Sequence, residues 1–129
     1  MPCLARHGAA RKAMERSMRL RSDFWVAAYI RRCEVEGASA YLRRRGAAEA
    51  GAVIVKLDCL DGRCALYGLA PQNETDRGVD RRFLRLHKAE WIDPAGAEAR
   101  LKREIGFDSD LWIIEIEDRA GRIFLDVSE

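Results

Sequence analysis

Met18–Lys56 reads MRLRSDFWVAAYIRRCEVEGASAYLRRRGAAEAGAVIVK, and this stretch decides the class of fold. Ser22 or Asp23 stands where a helix needs its N-cap. A side-chain oxygen there accepts from amides that the first turn leaves unpaired, and Asp23 puts negative charge at the positive end of the helix dipole. From that point Trp25, Val26, Tyr29, Ile30 and Cys33 recur at helical spacing as one apolar stripe. Phe24, Ala28 and Val35 form a second, narrower stripe nearly opposite, flanked by Arg31 and Arg32. A helix apolar on two sides is either central in its domain or packed against a partner. Gly37 ends this helix. Ala38–Arg45 reads as a short second helix stopping at Gly46, and Ala52–Asp58 (AVIVKLD) alternates as a strand.

Working outward, Asp61-Gly62 is a two-residue hairpin signal, because both central positions of the tight turn need positive φ. The register that follows sets Cys59 opposite Cys64 and Leu57 opposite Leu66. Val53, Val55, Leu57, Cys59, Cys64 and Leu66 then share one face. Gly68–Arg81 lacks periodicity and reads as a long polar loop. Arg82–Lys88 reads as a third strand. Asp93-Pro94 is an N-cap followed by a first-turn proline. Ala97, Leu101 and Ile105 are the buried stripe of the next helix, Glu98 and Lys102 are ordered for an i,i+4 pair, and Gly106 closes it. Leu111–Glu117 and Arg122–Val127 read as a final hairpin, with Trp112, Ile114 and Ile116 on one face and Phe124 across from Ile116. The expected order is α-α-β-β-β-α-β-β: an α+β domain with a largely antiparallel sheet and helices packed on one face.

At 129 residues the chain is one domain and needs no staple to fold. Residues 1–17 are Ala/Arg-rich with one acid and no aromatic, so they read as an extension, disordered or not native, ahead of a single domain over 18–129. The net charge of +2 hides a split: residues 1–45 carry 11 Lys and Arg against 4 acids, and residues 46–129 carry 12 against 17. Such asymmetry favours an oriented partner or self-association, and more weakly nucleic acid. The longest apolar run, Phe24–Ile30, is too short for a membrane span, and no signal peptide is visible. Four cysteines without a signal point to free thiols in a reducing cytosol.

The segments MRLRSDFWVAAYIRRCEVEG, EAGAVIVK, LYGLAPQ, RRF and DLWIIEIEDRAGRIFLD, in this order, resemble a family of small bacterial proteins catalogued as domain of unknown function 1491. The resemblance spans nearly all of Met18–Asp126. It implies a cytoplasmic bacterial protein that starts near Met18. It implies no activity, carries over no catalytic or binding residue, and does not involve the cysteines.

No nucleophile–base–orienter set is legible. Cys64 with His87 is a conceivable thiol pair, but chance proximity explains it better. Cys59 and Cys64 are two ligands where a closed zinc site needs four, and only Cys33 or His87 would be left to complete it. No cofactor or metal is therefore expected. Arg31, Arg32, Arg43, Arg44 and Arg45 are the strongest surface signal. Their forks match phosphate, and Tyr41 or Trp25 could stack on bases, yet Glu34 and Glu36 sit among them. A solvated helix face is the plainer reading. The leading expectation is a non-catalytic protein-binding or self-associating module, with Phe24, Ala28 and Val35 as its partner-facing stripe. The alternatives are a nucleic-acid-binding module using Arg31–Arg45, and an enzyme whose site one sequence does not reveal.

Overall fold

A computed structural model describes residues 21–70 and 81–128 of the chain. The expected extension at residues 1–17 and most of the polar loop lie outside the described residues. Among the described residues, two helices and six strands follow in the order α1 (Ser22–Val35), β1 (Ser39–Arg44), β2 (Val53–Asp58), β3 (Cys64–Leu69), β4 (Arg82–Arg85), α2 (Pro94–Phe107), β5 (Trp112–Glu117) and β6 (Asp126–Val127). The strands make one mixed sheet in the order β1-β5-β2-β3-β4-β6. β5 runs parallel to β2 and β6 parallel to β4, while the other pairings are antiparallel.

The first helix forms as its pattern predicts. Val26, Tyr29 and Cys33 are buried, and Trp25 and Ile30 pack beside them. Trp25 stacks on Tyr29 and Phe83, each with ring centroids 5.2 Å apart. Gly37, at φ +88°, closes the helix in a Schellman arrangement: Ala38 N donates to Cys33 O at 2.9 Å and Gly37 N to Glu34 O at 3.0 Å. The N-terminal residue outside the helix is Arg21 rather than Ser22 or Asp23. Ser22 is helical and wholly buried, its hydroxyl donating to Gly51 O at 2.7 Å.

Ser39–Arg44 is a strand, not the expected second helix. It pairs antiparallel with β5, setting Ala40 against Ile116 and Leu42 against Ile114. Ala, Leu and Arg are among the best helix formers, but the preference is worth only about a few tenths of a kcal/mol per residue, and a ladder with a buried neighbour outweighs it. A bulge at Arg43, between Leu42 and Arg44, re-aims the strand end.

The β2–β3 connection also departs from expectation. The register pairs Asp58 with Cys64 and Leu57 with Ala65, one residue away from the predicted pairing. The loop has three residues, with Leu60 at φ 63° and Gly62 at φ 91°. Asp58 Oδ1 accepts from Leu60 N at 2.8 Å and Asp61 Oδ1 from Arg63 N at 3.1 Å, so two carboxylates hold the longer turn. Because side chains alternate, the slip puts Cys59 and Cys64 on opposite faces.

Both faces of the sheet are covered. Val53, Val55, Leu57, Tyr67, Phe83, Trp112, Ile114 and Ile116 meet α1 on one face. Ile54, Cys64, Leu66 and Ile113 meet Ala97 and Leu101 of α2 on the other. The helices therefore lie on opposite faces, correcting the one-face expectation. Central strands that are apolar at consecutive positions, as in Val53-Ile54-Val55 and Trp112-Ile113-Ile114, need cover on both sides. Asp93 caps α2 as predicted, accepting from Gly96 N at 3.1 Å with Pro94 next. Gly106 lies inside this helix rather than ending it. The final hairpin does not form, because both edges of β5 are taken by β1 and β2. The chain turns at Asp118–Gly121, crosses the α1 face with Ile123, Phe124 and Leu125 packed on the core, and pairs β6 with β4. Phe124, at φ 55°, breaks the expected strand.

Candidate functional site

Each helix frames a different surface. On the second face of the sheet, α2 lies over a group of charged side chains. β2 supplies Lys56, β5 Glu115, β1 Arg43 and α2 Glu98. Lys56 and Glu115 are register partners on adjacent parallel strands and both are buried. Arg43 reaches them because of the bulge. Its guanidinium donates to Glu98 at 2.7 and 2.8 Å and to Glu115 at 2.9 Å. Lys56 Nζ lies 2.6 Å from Glu98 and 3.5 Å from Glu115. Two cations thus face two anions in one connected set, which is the condition under which buried charge is tolerated.

The titration behaviour follows from this geometry. The hydrogen bonds from Arg43, helped by Lys56 and opposed by burial, hold the Glu98 carboxyl down at about 2. Burial pulls the Lys56 ammonium down, but Glu98 and Glu115 outweigh it and leave its pKa raised. Burial, then the Glu115 carboxylate, pushes the Tyr41 phenol up to about 12. The predicted Glu98–Lys102 pair does not form, since Arg43 and Lys56 take Glu98.

Beside this set, the carboxylates of Asp58, Glu115 and Glu117 come within 4.8 Å of one another. Such a trio has the donor chemistry of a hard-cation site. Two of its oxygens are already engaged, Glu115 Oε1 on Arg43 and Lys56 and Asp58 Oδ1 on the hairpin loop. The sequence reading missed this grouping, which depends on the parallel β2–β5 register aligning Asp58 with Glu117.

The residues singled out from sequence fare differently. Arg43, Arg44 and Arg45 are on a strand and its end, not on a helix face, and none is merely solvated. Arg44 donates to the carbonyls of Ser109 and Leu111 at 3.1 and 2.8 Å, and Arg45 lies 5.3 Å over the Trp112 ring. Arg31 and Arg32 are exposed on α1, apart from them. His87 Nε2 accepts from Leu66 N at 3.1 Å, so the ring proton sits on Nδ1, which faces Ala89 O at 2.7 Å. Both ring nitrogens are thereby committed, and the His87–Cys64 thiol pair loses its base. Burial and then Asp58 push the Cys64 thiol up to about 11, away from the thiolate a nucleophile needs. Cys33 and Cys59 share the opposite face, so the four-ligand zinc set is not assembled either.

Phe24, Ala28 and Val35 form the outward line of α1. Phe24 is 57% exposed and Val35 76%, with Ala28 and Arg31 exposed between them. The spacing i, i+4, i+11, with Arg31 at i+7, is that of a helix presenting a seam.

The fold and these surfaces define a small α+β protein: among the described residues, a six-stranded mixed sheet with one helix on each face. The family model described as "Protein of unknown function (DUF1491)" matches residues 20–126, and the chain belongs to that family. It is similar to a DUF1491 family protein from Caulobacter crescentus CB15, whose crystal structure shares 37% identity over 87% of this chain and 100% of that one, at a TM-score of 0.71. It is also similar to protein Atu0922 from A. tumefaciens, a solution structure at 38% identity covering 87% of this chain and 97% of that one, with a TM-score of 0.74. No curated protein matches the chain. Among the described residues, no helix is long and apolar enough to cross a membrane.

Proposed function

We propose that this chain is a non-catalytic protein-binding module whose docking face is the outward line of α1. The observation that carries the reading is the exposure of Phe24 and Val35 on the side of α1 opposite its buried stripe. Large apolar groups aligned on one exposed face mark interaction surfaces, whereas single ones need no explanation. The non-catalytic part is supported by the closed charge set around Lys56 and by the commitment of both His87 nitrogens. The occupant is another protein or a second copy of this chain. The same reading puts the protein in a reducing cytosol, supported by Cys33, Cys59 and Cys64 being buried free thiols.

The nucleic-acid alternative is weaker, because Arg43, Arg44 and Arg45 are already held by carboxylates, carbonyls and an indole. Affinity capture from the native host, with and without nuclease, tests both readings beside light scattering of the purified chain. A nuclease-resistant partner or a dimer, lost in Phe24→Glu/Val35→Glu without loss of the melting transition, is the expected result. Retention by the double variant, or capture that depends on nucleic acid, overturns the proposal.

A further inference from the structure

We propose that His87 is an acid-operated latch: its neutral ring fastens the segment 86–92 to the outer side of β3, and protonation of the ring releases that segment. The ring stands in for a backbone carbonyl. β3 and β4 pair Leu69 with Phe83, Gly68 with Leu84 and Tyr67 with Arg85. The next rung begins normally, with Leu86 N donating to Leu66 O at 2.9 Å. A regular antiparallel rung would return a bond from Leu66 N to Leu86 O. Leu86 O instead accepts from the Arg100 guanidinium of α2 at 3.1 Å, and Leu66 N donates to His87 Nε2 at 3.1 Å. Two residues earlier in β3, Cys64 and Ile92 exchange both bonds, at 2.7 and 2.8 Å. The imidazole therefore fills a gap between two backbone-bonded stretches.

Only the neutral ring can fill it. A backbone N–H donates, so Nε2 must accept, and the ring proton sits on Nδ1 toward Ala89 O. In the imidazolium both nitrogens are donors. The amide of fully buried Leu66 would then face a second N–H, while the carbonyl that a regular rung would offer stays with Arg100. The surrounding charges do not compensate. Arg85, Lys88 and Glu90 lie on the ring's own stretch of chain, Cys64 and Tyr67 on β3, Asp93 at the cap of α2, Arg100 and Glu104 on α2, and Asp126 on β6. Arg85 is turned to Tyr67, Arg100 to Glu104 and Arg82 to Asp126, and among the described residues no carboxylate pairs with the ring. Release of the segment uncovers Leu86 and Ile92, which pack beside Ala97 and Leu101 of α2. The opening is local, because the pairing of β2 with β3 and β5 does not pass through the ring.

The test is amide hydrogen exchange of the isotope-labelled full chain, followed by NMR from about pH 7.5 to about pH 5.5, the range in which histidine changes charge. Each rate is divided by the intrinsic rate at the same pH. Protection at Leu66 and Leu86 should fall by up to about tenfold per pH unit, the limit for uptake of one proton on opening. Protection at Trp112, whose N donates to Ala52 O at 2.8 Å in the centre of the sheet, should stay constant. In His87→Gln the side-chain oxygen can accept from Leu66 N but does not titrate, so the decline at Leu66 and Leu86 should disappear. Ring nitrogen shifts of the parent chain supply a measurement that needs no variant: Nε2 should carry no proton at about pH 7.5. A proton on Nε2 there, unchanging protection at Leu66 across the range, an equal decline at Trp112, or the same decline in a folded His87→Gln each overturns the proposal.

Discussion

Glu115 is the residue on which the interior charge depends. It is almost fully buried and answers both Arg43 and Lys56. Removing it leaves two cations facing Glu98 alone. Glu115→Ala should therefore destabilise the fold by about 2–4 kcal/mol in a denaturant titration. The double variant Lys56→Met/Glu115→Leu should recover most of that loss, because an apolar pair of similar volume restores packing without unmatched charge. Glu98 supplies the pH dependence. Its carboxyl is depressed to about 2 in the folded chain, below the roughly 4.3 of an unfolded glutamate. A depressed carboxyl stabilises above the unfolded value and loses that contribution as pH falls through the folded one. Melting temperature should thus decline from about pH 5 toward pH 2, and Glu98→Gln should flatten the decline while lowering stability at pH 7. The effect is modest, since the Glu98 side chain is 44% exposed and solvent screens it.

Among the elements, the β1–β2 connection behaves as a clasp. Trp112 Nε1 donates to Ala47 O at 2.7 Å, Ala47 N donates to Asp110 O at 3.0 Å, and Asp23 N donates to Ala48 O at 3.0 Å. Gly46 and Gly51 both sit against the Asp110 carbonyl and the Trp112 ring, where a Cβ on either would collide with backbone. Gly46→Ala should cost more than about 2 kcal/mol in a denaturant titration, whereas Gly106→Ala, with open space around it, should be neutral or slightly stabilising. The β2–β3 hairpin yields a chemical prediction. Cys59 and Cys64 lie on opposite faces of the sheet, so mild oxidation of the folded chain should not join them. Peptide mapping of the oxidised, undenatured protein by mass spectrometry checks this, and a 59–64 crosslink would mean that the register is wrong.

At the scale of the whole molecule, the arginines after Leu42 help join the sheet's edge strand to α2 and to β5. Changing Arg43, Arg44 and Arg45 together to glutamine removes the ion pairs to Glu98 and Glu115, the bonds to two carbonyls and the cover over Trp112. A solvated patch would tolerate that change. Here it should lower unfolding free energy by about 2–4 kcal/mol, measured by denaturant titration, whether or not any ligand is present.

The sequence by itself determined whatever is written locally in adjacent residues. The α1 stripe and its glycine stop, the Asp93-Pro94 start of α2, the β2 strand and the shared face of Trp112, Ile114 and Ile116 were all legible, because helical and strand periodicities and capping chemistry act over a few residues. The segments resembling DUF1491 proteins were legible separately, as a likeness of residues in a shared order. Only the tertiary structure decided the rest. Ser39–Arg44 leans toward helix in its own composition and became a strand because β5 offered it an edge. The hairpin register turned on Asp58 and Asp61 bonding a three-residue loop, a choice that a two-residue turn signal does not contain. β5 could not pair with the segment after it once β1 and β2 occupied both its edges. The charge set of Arg43, Lys56, Glu98 and Glu115 joins four elements that are distant in the chain. Its members meet only when a bulge, a parallel register and a helix on the second face are all in place, and none of those long-range pairings is encoded in the spacing of neighbouring residues.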